Sequence, residues 1–148
     1  MSPTLSGVHA ASAVAVAATF VWLGMVLAIS FLEAPLKFRA PGVTLQVGLG
    51  IGRLVFRALN SCELVLAATV LIALVVGGPS TAALVAVVVA TVMLAGQLLF
   101  VRPALTRRSD QVLAGAEGPR SRAHYGYVIL EVVKVVALIS SGVLLLSA

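Results

Sequence analysis

Charged side chains are scarce in this sequence. Asp, Glu, Lys and Arg make up 10% of its 148 residues, whereas 61% of the residues are hydrophobic. A soluble domain carries about 25% charged and about 45–50% apolar residues, so there are too few charges here to cover a surface that faces water. The mean hydropathy of +1.15 agrees. This scarcity argues against soluble globular and disordered proteins, and it indicates an integral membrane protein.

Cysteine is almost missing as well. The single cysteine, Cys62, cannot form a disulfide within the chain, which argues against a disulfide scaffold. A length of 148 residues leaves room for one domain and no second catalytic module. We therefore expect residues 1–148 to form a single membrane domain.

Long apolar runs are what the sequence does contain. A transmembrane helix needs about 20 mainly apolar residues, and lipid offers no partner for an unpaired backbone group. Four runs qualify as helical spans: residues 11–32, 54–76, 82–101 and 125–146. Gly77-Gly78-Pro79-Ser80 predicts a tight turn that makes the second and third spans an antiparallel hairpin. The predicted fold class is an all-α integral membrane protein, a bundle of four transmembrane helices.

The basic residues are unevenly placed around these spans. All of them except Lys134 lie in or beside two loops, residues 33–53 and 102–124: Lys37, Arg39, Arg53, Arg57, Arg102, Arg107, Arg108, Arg120 and Arg122. The positive-inside rule then predicts that both loops are cytoplasmic and both termini extracytoplasmic. Since topology accounts for the net charge of +5, we expect no nucleic-acid partner. The bias toward Ala, Val and Arg favours a bacterial inner or plasma membrane.

The second basic loop contains an amphipathic segment. Leu105 and Val112 lie on one side of it and arginines on the other, which predicts a helix at the membrane interface. Gly115 and Gly118-Pro119 predict its end. Such a helix either lies on the membrane or docks a partner.

Small residues recur at helical spacing in two spans. Gly24 and Ala28 are four residues apart, and Ala82, Ala86 and Ala90 continue the same spacing in the third span. Small residues let helix backbones approach closely in lipid. We expect packing within the chain, with an oligomer contact as the alternative.

Polar residues interrupt the apolar spans. A charge near the centre of the bilayer costs about 2.5–3.5 kcal/mol, so such residues usually face the bundle interior and carry function. In the second and fourth spans they recur every three or four residues and therefore share one helix face. We predict a polar cavity in the cytoplasmic half, lined by Arg53, Arg57, Asn60, Glu63, Gln97, His124, Glu131 and Lys134.

Depth along the helices predicts pairs within this set. Glu63 and Lys134 each lie about 15 Å from the cytoplasmic end of their helix, which makes them candidates for an ion pair. Asn60 and Glu131 share a second depth, and Glu33 is placed to face one of the loop arginines. The alternative is a structural network in which each charge is paired and no ligand binds.

The histidines do not predict a metal site. His9 and His124 belong to opposite ends of the bundle and should lie about 30 Å apart. Metal-ligand spacings such as Cys-x-x-Cys do not accompany them. We therefore expect neither a metal nor another cofactor.

Several short motifs are shared with a known family. They are Trp22-Leu23-Gly24, Ser30-Phe31, Ala34-Pro35, Phe38, Arg102-Pro103 and His124. In these motifs the chain resembles the small bacterial membrane proteins of unknown function that are related to transmembrane protein 205. The resemblance covers most of the chain. It implies a four-helix membrane fold and leaves the function open.

A second resemblance is confined to one helix. The segment Arg57-Ala58-Leu59-Asn60-Ser61-Cys62-Glu63 is similar to the Arg-Ala-x-x-Asn-x-x-Glu of membrane-associated proteins in eicosanoid and glutathione metabolism. Asn60 follows the arginine one residue early, and the spacing of Asn60 and Glu63 is kept. This resemblance implies a four-span trimer in which these two residues, with Arg53 or Arg57, hold glutathione.

Three functions remain open at this point. The first is a membrane protein that binds or moves a small polar or anionic ligand through the cytoplasmic cavity. The second is an accessory subunit that docks onto a larger membrane complex. The third is a glutathione-transferase-like membrane enzyme, in which arginines hold carboxylates and favour a thiolate.

Overall fold

The structure, a computed structural model, describes residues 4–118 and 121–148. Four long helices account for most of these residues: α1 Leu5–Arg39, α2 Leu45–Gly77, α3 Thr81–Leu113 and α4 Arg122–Leu146. Each is long enough and apolar enough to cross a membrane. The prediction of an all-α fold with four such helices is confirmed, and these helices indicate a membrane protein.

The helix ends follow from local sequence. Thr4, Thr44 and Ser80 precede α1, α2 and α3, and each side-chain oxygen accepts a backbone N–H from the first turn. At the other end of α2, Gly78 has a φ of 66°, the left-handed conformation that glycine adopts without steric cost. Pro79 then prevents α2 from continuing as a helix. The predicted tight turn between the second and third helices is therefore present.

The helices extend beyond the predicted spans. The segments 33–53 and 102–124 were predicted as loops, yet α1 continues to Arg39 and α2 already begins at Leu45. The reason is physical: hydropathy marks only the apolar part of a helix, and Lys and Arg continue it without penalty. The connections that remain are residues 40–44 and the segment after Leu113.

The predicted interfacial helix is present in a different form. Arg102–Leu113 is helical and ends before Gly115, whose φ is 97°. It runs on directly from the third span instead of forming a separate element. Pro119 and Arg120, which also entered the sequence predictions, lie outside the described residues.

The four helices pack as two antiparallel pairs, α1 with α2 and α3 with α4. Helix α4 also packs along α1, whereas the hairpin partners α2 and α3 meet less extensively. Gly142 of α4 packs against Phe20 of α1, and a Cβ there would lie 2.6 Å from the Phe20 ring, so that ring would have to shift.

The buried core follows the bundle axis. Buried positions recur every three or four residues on each helix, which places them on one face. They include Ala15, Thr19, Trp22 and Val26 of α1, Glu63, Ala67, Val70 and Leu74 of α2, Ala83, Val87, Ala90 and Leu94 of α3, and Glu131, Lys134, Leu138 and Ser141 of α4.

The small residues of the first span do not pack within the chain. Gly24 and Ala28 are exposed, and a Cβ on Gly24 would meet no atom within 4 Å. The expectation of internal packing is wrong at these two positions, because Trp22 faces the core and Gly24 lies about 200° around the helix from it. On α3, Ala90 is buried and Ala82 is exposed.

We expect Leu94→Ala to lower the free energy of unfolding by about 2 kcal/mol, the lower end of the usual range for such a cavity. The lower end applies because lipid tails are as apolar as leucine and leave mainly the loss of packing. Denaturant unfolding in micelles measures the change. Leu99→Ala is the matched control on the same helix, since Leu99 is 68% exposed. Equal losses for the two variants would contradict the described packing.

Candidate functional site

Six polar side chains meet near the middle of the bundle, and we call this group the polar cluster. All four helices contribute to it: Trp22 and Ser30 of α1, Glu63 of α2, Gln97 of α3, and Glu131 and Lys134 of α4. The side chains of Glu63 and Lys134 are fully buried, and that of Glu131 is 2% exposed. The cluster is therefore closed to solvent in this structure.

Lys134 is the centre of the cluster. Its Nζ donates to Glu63 Oε1 at 2.5 Å and to Gln97 Oε1 at 2.8 Å, and it lies 3.0 Å from Glu131 Oε2. An ammonium group has three N–H donors, and each has a partner here on a different side chain. The predicted ion pair between Glu63 and Lys134 is present.

The two carboxylates are held unequally. Glu131 Oε1 accepts from Ser30 Oγ at 2.7 Å, and its Oε2 accepts from Gln97 Nε2 and faces Lys134. Glu63 Oε1 accepts from Trp22 Nε1 at 2.9 Å as well as from Lys134. Its second oxygen, Oε2, is buried with no hydrogen-bond partner among the described residues. Glu131 thus has three donors over both oxygens, whereas both donors of Glu63 converge on one oxygen.

Both α1 and α3 depart from α-helical geometry at the cluster. Leu27–Glu33, which carries Ser30, and Gln97–Val101, which starts at Gln97, are π-helical. A π-helical turn inside an α-helix redirects side chains and occurs frequently at functional sites. Here the two irregular segments supply the side chains that donate to the two oxygens of Glu131.

The cluster lies deep along the bundle. At 1.5 Å per residue, Glu63 is about 21 Å from the end of α2 at Gly77, and Lys134 is about 18 Å from the end of α4 at Leu146. The hydrocarbon core of a bilayer is about 30 Å thick. In a bundle that spans this core, the charges lie well inside it.

The other predicted site residues lie elsewhere. Arg53 donates to Ser109 Oγ at 3.1 Å and pairs with Asp110, toward the end of the bundle that holds residues 40–44. Arg57 is exposed, and half-buried His124 lies edge-on to the ring of Tyr125. Arg53 and Arg57 lie more than one helical turn before Glu63 along α2, and His124 lies near the start of α4, more than one turn before Glu131.

Two predicted contacts have different partners. Asn60 is buried on the same face as Glu63, but the hydrogen bonds of Glu131 go to Ser30 and Gln97. Glu33 pairs with Lys37 at 3.3 Å, one turn along its own helix, and not with a loop arginine. An i,i+4 partner on the same helix is available without any packing between helices.

Sequence reasoning missed Trp22 and Ser30. A signal for Trp22 was present, since a buried indole N–H needs an acceptor and only a few buried carboxylates exist. The sequence contains no such signal for Ser30. A π-helical segment cannot be predicted from hydropathy, and it changes which face of the helix a residue occupies.

Tyr127 lies on the predicted face of α4. It packs edge-on to Phe56 with ring centroids 5.7 Å apart, and its hydroxyl is buried without a described partner.

Metal-ligating residues do not converge here. Within residues 4–118 and 121–148, no group of three His, Cys, Asp or Glu side chains is placed to hold a metal ion. The chemistry that the cluster offers is that of two carboxylates, an ammonium and neutral hydrogen-bonding groups.

Comparison with known proteins adds no family to these observations. No protein-family model matches the chain, and no curated protein or solved structure matches it either. Both family resemblances therefore stay predictions, and the functional argument rests on the geometry of the cluster.

We expect Lys134→Met to lower the free energy of unfolding by about 3–5 kcal/mol, because it leaves buried carboxylates without their cation. Lys37→Met is the matched control, since it breaks a partly buried i,i+4 pair with Glu33 that lies outside the polar cluster, and we expect it to cost less than Lys134→Met. Adding Glu131→Gln to Lys134→Met should restore part of the loss. Equal losses for Lys134→Met and Lys37→Met, measured by denaturant unfolding in micelles, would contradict the cluster.

Proposed function

We propose that this integral membrane protein binds a small polar or ionic species at the polar cluster and moves it across the membrane. The observation that carries the proposal is the buried arrangement of Glu63, Lys134 and Glu131 at the centre of the four helices. Ionisable residues within membrane spans are costly and rare, and they mark substrate or ion pathways, proton relays or the counter-ions of ligands.

A purely structural role explains less of this arrangement. Replacing a buried ion pair with well-packed apolar residues is often neutral or stabilising, so stability alone does not favour retaining one. The apolar core continues on the termini side of the cluster through Val70, Val87 and Leu138, and it already fixes the packing of the helices. The charges are therefore not needed for helix packing, and binding is the role that we propose for them.

The charge of the cluster favours a cationic species. Two carboxylates face one ammonium, so the cluster in its fully ionised form has one negative charge more than positive charge. An anion would add to that surplus. The sequence predicted a polar or anionic ligand, and the geometry moves our proposal toward a cation.

Movement of a bound species requires the cluster to open, since its charged side chains are buried. We place this opening at the two π-helical segments, because α1 and α3 depart there from α-helical geometry beside the cluster. Ser30 and Gln97 would then leave Glu131 together. We propose cytoplasmic basic loops and extracytoplasmic termini for this cycle, following the charge distribution.

An accessory subunit is the second candidate. One observation favours it: Gly24 and Ala28 form a small-residue surface on α1 that packs against no other part of the described chain. Such a surface suits close contact with a helix of another protein or of a second copy. The glutathione-transferase-like enzyme has less support, because Glu63 is buried and binds Trp22 and Lys134, while Arg57 is exposed and apart from it.

The test is ion flux in liposomes of phosphatidylcholine and phosphatidylglycerol that contain the purified full-length protein. The probes are protons, sodium, potassium and chloride, each driven by a valinomycin-clamped potential or by its own gradient. We expect cation flux several-fold above that of protein-free liposomes. The flux should be lost in Lys134→Met combined with Glu131→Gln and retained in Lys37→Met.

Two results would overturn this function. One is the lack of flux for all four probes in liposomes whose protein is folded by circular dichroism. The other is equal flux in the double variant and in wild type, which would leave the cluster a structural network. Purification from native membranes as a stable assembly with other polypeptides, together with no flux, would favour the accessory subunit.

A further inference from the structure

We infer that the polar cluster holds one exchangeable proton on Glu63 Oε2 and that the proton is the cation that the site binds. This inference deepens the proposed function, because it names the species for the same site. It rests on the charges, the hydrogen bonds and the burial of the cluster.

The first step is the balance of charge. Glu63 and Glu131 together need two positive charges in a buried site, and Lys134 supplies one at 2.5 Å and 3.0 Å. An uncompensated ion is strongly disfavoured in a low-dielectric interior. A proton on one carboxylate removes the uncompensated charge with no further ligand.

The second step identifies the carboxylate. Three donors on both oxygens stabilise the charged form of Glu131: Ser30, Gln97 and Lys134. In Glu63 both donors, Trp22 and Lys134, bind Oε1. Among residues 4–118 and 121–148, the buried Oε2 has no hydrogen-bond partner, in contrast to the other three carboxylate oxygens of the cluster. A proton added there displaces no existing contact.

The third step concerns the groups that face Glu63 from each helix. Helix α1 presents the neutral Trp22, α3 presents the neutral Gln97, and α4 presents Lys134 and Glu131. Arg102 and the buried Tyr127 hydroxyl lie at least one helical turn from the cluster, toward the end of the bundle that holds residues 40–44. Neither group pairs with a carboxylate of the cluster. Lys134 is therefore the cation in contact with both carboxylates, whereas Arg102 attracts Glu63 from farther away without forming an ion pair.

The exchange itself is a simple acid–base step. The Glu63 carboxylate takes a proton from hydronium and gives water and the carboxylic acid, and the reverse step returns the proton. Loss of the proton gives the cluster a net negative charge again, so the charges around Lys134 are no longer balanced. Proton uptake and release therefore change the net charge of a cluster to which all four helices contribute.

The test is infrared difference spectroscopy of the full-length protein in liposomes, in light and heavy water at neutral pH. A protonated carboxyl gives a carbonyl band, resolved from ionised carboxylates, that shifts in heavy water. We expect one such band in wild type and its loss in Glu63→Gln. Glu131→Gln should remove it too without altering Glu63, since the remaining Glu63–Lys134 pair is neutral without the proton. Glu33→Gln, a matched change outside the cluster, should keep it.

The lack of this band in folded wild type overturns the inference, as does a band that persists in both Glu63→Gln and Glu131→Gln. The spectrum is taken at equilibrium and does not depend on flux. Sodium or potassium flux with no carbonyl band refutes the proton site and leaves the proposed transport intact. A band that is lost in the two variants as expected, without any flux, refutes transport and leaves the proton site. A sodium-dependent rise in the unfolding temperature of a band-free wild type would identify a metal cation instead and equally overturn the inference.

Discussion

One ammonium shared by two buried carboxylates organises this molecule. Lys134 binds Glu63 of α2, Gln97 of α3 and Glu131 of its own helix, so its three donors connect three of the four helices. Trp22 and Ser30 bring α1 to the same group through the two carboxylates. Because charge in hydrocarbon is costly unless it is paired, each helix must keep the register that brings its polar side chain to this level.

The irregular helices follow from this constraint. Glu131 needs donors on both oxygens, and these come from the π-helical segments Leu27–Glu33 and Gln97–Val101. An α-helix of regular pitch packs its apolar positions at fixed angles, so a locally wider turn lets α1 and α3 satisfy both the apolar core and the cluster. These two segments supply donors to the cluster, and they are also where the transport that we propose would open the bundle.

Much of the fold was predictable from the sequence, because length and apolar composition alone decide which segments suit a membrane. The hairpin turn followed from Gly78 and Pro79, and the Glu63–Lys134 pair followed from depth along two helices. The ends of the helices were not predictable from hydropathy, since helix continues through charged residues to Arg39 and Leu113. The lack of a partner for Glu63 Oε2 depends on packing, and the position of Ser30 depends on π-helical geometry. Neither leaves a local signal in the sequence. Gly24 shows the limit of motif reasoning, because the larger Trp22 decides which face of α1 is buried.

The account depends most on the protonation of the two carboxylates beside Lys134, and solid-state NMR measures this directly. The chain contains only Lys37 and Lys134 as lysines, so the ammonium signal of Lys134 is identified by its loss in Lys134→Met. A dipolar correlation from its Nζ to labelled glutamate carbons should give two cross-peaks, one from a carboxylate and one from a carboxylic acid. Two carboxylate cross-peaks, or a neutral amine at Lys134, would contradict the account.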